Sequence, residues 1–344
     1  MQNKLLLYIS VCFVLLIGVA SISLKLGAYS FEDSSLWQIF KNELSGNGLV
    51  SEMDHYVLFN VRLPRIVMAI LMGSAFAVSG TCLQGMFKNP LATPNLIGVT
   101  SGASLFAAIG IVLGGHFRSY LPDVLNYSLI SIMAFIGAIL TMTFVYRMST
   151  TRRKTNVVVM LLAGVAISAL AGAVTGFLTY LTDDEQLRDL TFWTLGSLGG
   201  ATWLKNGILV IVIFFSYILL LNKGKALNAM MLGEEDATHL GIPVEKVKKR
   251  IIILTALMVG TCVAFAGAIG FVGLIVPYIL RLIFKSNYHI ILPLSAVVGS
   301  ILLLIADTIS RTIVAPSEMP IGILTAFLGA PIFIAILIRF KKNL

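Results

Sequence analysis

Apolar runs too long for a soluble core are the strongest constraint on this chain. Roughly 20 largely apolar residues carry a helix across a hydrocarbon layer of ~30 Å. Inside that layer only helices or closed barrels satisfy their own backbone polar groups. The runs here are continuous and lack the two-residue alternation of barrel strands, so the fold class is an all-α integral membrane protein. About ten transmembrane helices are predicted, at 5–24, 64–85, 93–114, 124–146, 156–181, 203–221, 251–270, 271–284, 290–310 and 320–339. The eighth is too short to cross straight and contains Pro277 and Arg281, so a broken or partly buried helix is expected there. Of the 344 residues 58% are hydrophobic and 12% charged, against an apolar share of roughly 45–50% in ordinary globular proteins.

Lys4 before the first run resembles the start of a signal peptide, but "SISLKLGAYS" follows without a clear small-residue cleavage site. The first run is therefore read as a span. Ten spans with both termini on the cytoplasmic side place most of the 25 lysines and arginines inside and most of the 16 acids outside. On this reading the net charge of +9 reflects topology and anionic inner lipid rather than nucleic acid. Trp37, Tyr56, Tyr120, Tyr127, Tyr180, Trp193 and Trp203 fall at predicted outer boundaries, where amphipathic rings settle. The segment after the fifth span opens too polar to cross, and an outer interfacial helix is expected at about 184–195.

Several function classes are excluded by what is missing. The chain has no G-x-x-x-x-G-K-[ST] loop to cradle nucleotide phosphates and no H-E-x-x-H pair. His55, His116, His239 and His289 sit in separate loops, and Cys12, Cys82 and Cys262 lie in apolar runs, so no metal site is expected. Asp307 is the lone acid inside a span, which leaves ion-coupled transport without its usual equipment. Its neighbour four residues on, Arg311, shares its helical face, so a local ion pair is one reading and a role in a pathway or in docking the other.

Four stretches offer candidate sites. "NVRLPRIVMAI" places Arg62 and Arg65 around Pro64 on the predicted outer side, as snorkelling anchors or, with Arg311, as guanidinium forks for carboxylates on an external partner. "MFKNPLATPNLIG" puts Asn89 and Pro90 in an inner reverse turn. The small-residue run "AGVAISALAGAVTG" and its continuation carry Ser168, Thr175 and Thr179, which either pack closely or add hydroxyls to a pathway wall. The fourth is "GEEDATHLGIPVEKVKKR", a concentration of charge between apolar helices. Acids at Glu234, Glu235 and Asp236 favour a helix start, Gly241 a stop, and Pro243 a restart into the next span. Such punctuation predicts a rigid corner on the inner face, a docking surface rather than a loose solvated loop.

In order, "RLPR", "G-x-x-LQGMFKNPLATPNLIGVTSGA", "GEEDATHLGIPVEKVK", "GFVGLIVPYILR" and "AD-x-x-x-R" with "SEMPIGILTAFLGAPIFI" resemble the membrane subunits of binding-protein-dependent ABC importers for iron–siderophores, haem and cobalamin. The resemblance covers nearly all of the chain from Arg62 to Ile338. It implies one permease domain over 1–344, a cobalamin-permease-like bundle, with a coupling segment at 222–250. It also implies a homodimer around a central pathway, two cytoplasmic ATPase subunits that hold the ATP and Mg, and an extracytoplasmic binding protein, in a bacterial cytoplasmic membrane. This chain itself would bind no cofactor. Glu234, Glu235, Asp236, Ala237, Thr238, Leu240 and Gly241 then form the surface seated in the ATPase. Arg62, Arg65 and Arg311 meet the binding protein, and Asn89 with Pro90 lies at the cytoplasmic gate. Tyr278 and "SNYHI" depart from the pattern of many relatives, so no role passes to His289. Haem or a ferric siderophore is the expected substrate, with cobalamin the alternative within the family and an ion-coupled secondary transporter the rival outside it.

Overall fold

A computed structural model of the chain describes residues 2–31, 39, 41, 51–114, 122–152 and 154–341. Trp37, His116, Tyr120 and Arg153 lie outside the described residues. The helices are α1 (Gln2–Lys25), α2 (Glu52–Phe87), α3 (Val99–Val112), α4 (Asp123–Ser149), α5 (Val157–Tyr180), α6 (Asp184–Leu195) and α7 (Trp203–Leu221). They continue with α8 (Gly224–Leu232), α9 (Glu234–His239), α10 (Val244–Ala266), α11 (Val272–Phe284), α12 (Tyr288–Ser310) and α13 (Ile321–Lys341). Between α4 and α5 the strands β1 (Thr150–Thr151) and β2 (Lys154–Thr155) form a small antiparallel hairpin. Among the described residues eight helices are long and apolar enough to cross a membrane, and α3 and α11 are shorter apolar helices.

Where helix ends depart from expectation, a backbone feature explains it. α2 begins at Glu52 because a π-helical turn, Val57–Arg62, leads into Pro64. The wider turn relieves the clash of the proline ring with the carbonyl behind it. The third span is a 3-10 turn, Pro94–Ile97, then Gly98 at φ +79°, and only then α3. α10 starts at Val244, where Pro243 restarts the helix, and stops at Ala266, because Gly267 adopts φ +71°. Side chains of Asn156, Asp183, Thr202 and Asn287 accept amide hydrogen bonds at the starts of α5, α6, α7 and α12.

α2 is the axis of the bundle, buried along most of its length and packed most extensively on α12 and α11. Lipid gives helices no hydrophobic reason to associate, so close backbone packing has to hold them. A Cβ added at Gly73 would lie 2.3 Å from the Gly299 carbonyl oxygen of α12, and one at Gly80 would lie 1.8 Å from that of Gly273 on α11. A second group, α3, α4 and α5, meets in the same way. A Cβ at Gly137 would sit 2.3 Å from the Gly102 carbonyl oxygen, and one at Gly164 2.0 Å from that of Leu96.

The chain places its polar features at two ends. One end carries the hairpin, α8, α9, the start of α10 and the turn at Asn89. The other carries α6, the start of α2, the end of α12 and Glu318. Exposed Tyr56, Tyr180 and Trp203 lie at this second end, where Trp203 Nε1 donates to the Phe59 carbonyl at 2.9 Å.

Candidate functional site

At the first end, α9 is a single exposed helical turn and a half, mounted by one buried residue. Ala237 is fully buried, whereas Glu234, Glu235, Asp236, Thr238, His239, Leu240 and Gly241 are exposed. Gly241, at φ +79°, turns the chain, the Ile242 amide closes onto the Ala237 carbonyl at 3.0 Å, and α10 begins at Val244. Below the corner Lys248 is buried. Its Nζ donates to Glu234 Oε2 at 2.6 Å, Glu245 Oε1 at 3.1 Å and the Thr155 carbonyl at 3.2 Å. α9 is therefore fixed to the bundle while its outer face, with the exposed apolar Leu240, stays uncovered. A groove of about 710 Å³ runs beside it, lined by Lys154, Glu235, Thr238, His239, Pro243 and Lys246 among others.

The turn after α2 lines a cavity. Lys88 takes the left-handed conformation, and the Asn89 amide reaches back to the Gln84 carbonyl at 3.2 Å, closing α2. The Asn89 side chain accepts the Leu91 amide at 2.9 Å, while Pro90 is half-buried beside it. Asn89, Thr93 and Asn95 face a cavity of about 470 Å³ whose other wall is the break Ile269–Phe271, with Phe76, Leu274 and Phe333. Few polar groups in an apolar hollow suit orientation rather than tight capture of a passing solute. On α5, Ser168 accepts from Ser101 at 2.8 Å, and Thr179 donates to the Thr175 carbonyl at 2.8 Å. Gly172 and Gly176 of the same helix face open space.

The arginines at the second end are buried: Arg62 is 3% exposed, and Arg65 and Arg311 are 6%. Arg65 Nε donates to both Asp307 oxygens at 3.0 and 3.2 Å, and Nη1 to both Glu318 oxygens at 2.7 and 2.8 Å. Arg311 Nε lies 3.7 Å from Asp307 Oδ2, and its Nη2 donates to the Ser23 carbonyl and, at 2.7 Å, to Ser23 Oγ. Arg62 Nη1 donates to the Leu24 carbonyl at 2.6 Å and the Lys25 carbonyl at 3.1 Å, and Nη2 to the Tyr29 carbonyl. The expected local Asp307–Arg311 pair is thus the weaker half of a larger cluster. Asp307, with no exposed surface, answers first to Arg65 on a different helix, because the bifurcated contact from Nε at 3.0 and 3.2 Å holds the charges closer than the pair at 3.7 Å. All three guanidinium groups are buried and each donates to acceptors of this chain, although the buried Arg311 Nε makes no hydrogen bond among the described residues.

Most of this architecture falls within one family. The model of the FecCD transport family matches residues 14–339. The chain belongs to the FecCD family. It is 40% identical over 330 residues to the hemin transport system permease protein HmuU of Yersinia pestis, covering 96% of this chain and 95% of that one. It is 39% identical over 302 residues to the vitamin B12 import system permease protein BtuC of Vibrio vulnificus, covering 86% and 87%. A solved structure described as an inward-facing conformation of a metal-chelate type ABC transporter superposes with a TM-score of 0.82 at 30% identity, covering 96% of this chain and 98% of the other.

A FecCD permease is the non-catalytic, multi-pass membrane subunit of an ABC importer for haem, cobalamin or siderophore, and it implies ATPase and binding-protein partners. Two residues of this FecCD chain escaped sequence reasoning. Lys248 reads as one more basic residue in "VEKVKKR", yet it falls with Val244, Val247, Ile251 and Ile252 at helical spacing on the buried stripe of α10. That spacing was the available signal. Glu318 sits in a loop, and nothing local marks it as the partner of Arg65, 253 residues away.

Proposed function

We propose that this subunit carries haem or a ferric siderophore inward across a bacterial cytoplasmic membrane, as a homodimer driven by two ATPase subunits seated on α9. The observation that carries the reading is the α9 corner: a short, exposed helix held rigidly by Ala237 and Lys248 in a chain without a nucleotide-binding loop of its own. Closure of the ATPase subunits would push Glu234–Gly241 and bias the bundle between two openings. The basic residues gathered at this end support a cytoplasmic placement, with both termini on the same side. The cavity at Asn89 and Pro90 is then the cytoplasmic gate. Gly172 and Gly176 leave one face of α5 free for a second copy, which would place Ser168, Thr175 and Thr179 near the shared pathway.

The binding protein meets the opposite end. Because Arg62, Arg65 and Arg311 are buried, its carboxylates would have to exchange with internal acceptors such as Glu318, which is half exposed. The identity to the hemin permease supports haem, and the nearly equal identity to the vitamin B12 permease keeps cobalamin as the second reading. Ligand bound to the cognate binding protein, identified by absorbance and mass spectrometry after native purification, separates them: a Soret band supports haem, a corrinoid spectrum cobalamin. Uptake by this chain alone in proteoliposomes, without ATP, would replace both with ion-coupled transport.

Glu235 tests the seat of the ATPase without disturbing the cluster around Lys248. Glu235→Lys is expected to lower ATP-driven uptake about tenfold, the scale of an ordinary coupling free energy, while the permease still folds. Unchanged uptake and unchanged ATPase assembly would remove α9 from that role.

A further inference from the structure

We propose that Lys248 is a positioning residue that locks α9 to the start of α5, so that force arriving at α9 reaches the wall of the Asn89 cavity. This rests on α9 being the seat of the ATPase. The Lys248 ammonium has three N–H groups and three acceptors, Glu234 on α9, Glu245 on α10 and the Thr155 carbonyl of β2, so its donor capacity is filled. Glu245 also accepts the Thr155 amide through Oε2 at 2.9 Å. Both backbone groups of Thr155 are therefore held by this pair. The next residue, Asn156, is the cap of α5, accepting the amides of Val158 and Val159 at 3.0 and 3.2 Å. Its own amide closes the hairpin on the Ser149 carbonyl at 2.9 Å.

From that anchor α5 runs as an unbroken helix to Gly164, where its backbone touches the Leu96 carbonyl. Leu96, with Pro94 and Asn95, lines the cavity opposite Phe271. The joint at α9 itself is the Lys248–Glu234 ion pair, and each joint from Thr155 to the cavity wall is a hydrogen bond to backbone, a rigid helix or a backbone contact. Lys248 at the centre of the tie is only 1% exposed, although its partner Glu234 is 44% exposed. A charge buried this deeply is retained at a desolvation cost, and a tie that must not slip gives it a mechanical use.

The test uses the assembled importer, permease with ATPase and binding protein, in proteoliposomes. Lys248→Met is expected to leave α9 docked and ATP hydrolysed, but to lower substrate moved per ATP about tenfold, with Lys248→Arg restoring much of the loss. Hydrogen exchange supplies a readout that simple destabilisation would not produce. ATP binding should alter exchange at residues 156–160 and 95–97 in the parent complex, and at α9 alone in Lys248→Met. A Met variant that keeps both its transport per ATP and the ATP-driven change in α5 overturns the proposal. If that variant fails to assemble, the parent complex decides: α9 and the first turn of α5 should respond with one ATP midpoint, and two separate midpoints overturn the tie. An α9 left unprotected by the ATPase overturns the seat itself, and the proposal with it, on a distinct signal.

Discussion

Replacing Asp307 with Leu should destabilise the bundle by about 3–5 kcal/mol, the scale of removing one partner from a buried ion pair. Arg65→Met should cost less. In the first variant two buried guanidinium groups, on Arg65 and Arg311, lose their shared carboxylate, although Arg65 keeps Glu318. In the second, Asp307 retains Arg311. The order of the two effects is the sharper test, because a cluster important only at its surface would make the Arg65–Glu318 contact dominant and reverse it. Cys82 and Cys262, both fully buried, provide the measurement. With Cys12 replaced by Ser, a thiol-reactive dye followed on heating in detergent reports unfolding through those two positions alone. Equal melting temperatures for parent and Asp307→Leu would mean that the cluster carries no stability.

Gly80→Val should be more damaging still, preventing recovery of folded permease from the membrane. Even a Cβ at Gly80 would overlap the Gly273 carbonyl oxygen at 1.8 Å, and backbone cannot step aside as a flexible side chain can. Overpacking typically costs about 1–3 kcal/mol where side chains can adjust, and more where they cannot. α11 would have to leave α2, taking the break at Phe271 and one wall of the Asn89 cavity with it. Gly172→Val, on the same class of helix but facing open space within the chain, should give folded monomer. Size-exclusion profiles of the two variants separate these outcomes, and equal yields would show that the Gly80 contact is dispensable.

Much of the fold was legible because lipid imposes simple rules: long apolar runs, prolines and glycines at their ends, and aromatic residues near one boundary. The corner at Gly241 and Pro243 was readable for the same local reason. Small-residue stretches were readable only as a class. Gly164 packs against Leu96, whereas Gly172 and Gly176 meet no neighbour among the described residues, and periodicity alone does not say which face meets a neighbour. The charge cluster was the least legible part. Arg65, Asp307 and Glu318 come together across more than 240 residues, and a sequence shows an outward-pointing arginine and a buried one with the same letter. Lys248 was hidden by its surroundings, since a lysine among lysines reads as solvated unless the apolar stripe of α10 is traced through it.

The acceptors chosen by Arg62 and Arg311 bear on how the molecule is made. The last turn of α1 leaves carbonyls that no later residue of the helix can satisfy, and those of Ser23, Leu24 and Lys25 are taken by arginines from α2 and from the end of α12. During synthesis the first of these arrives soon after α1, the second only after most of the chain has been inserted. α1, which buries little of its surface, can therefore cross the bilayer early yet have its last turn finished late. The permease closes its first helix with one of its last, and a chain interrupted before Arg311 would have Arg62 on the Leu24 and Lys25 carbonyls but leave that of Ser23 without its arginine.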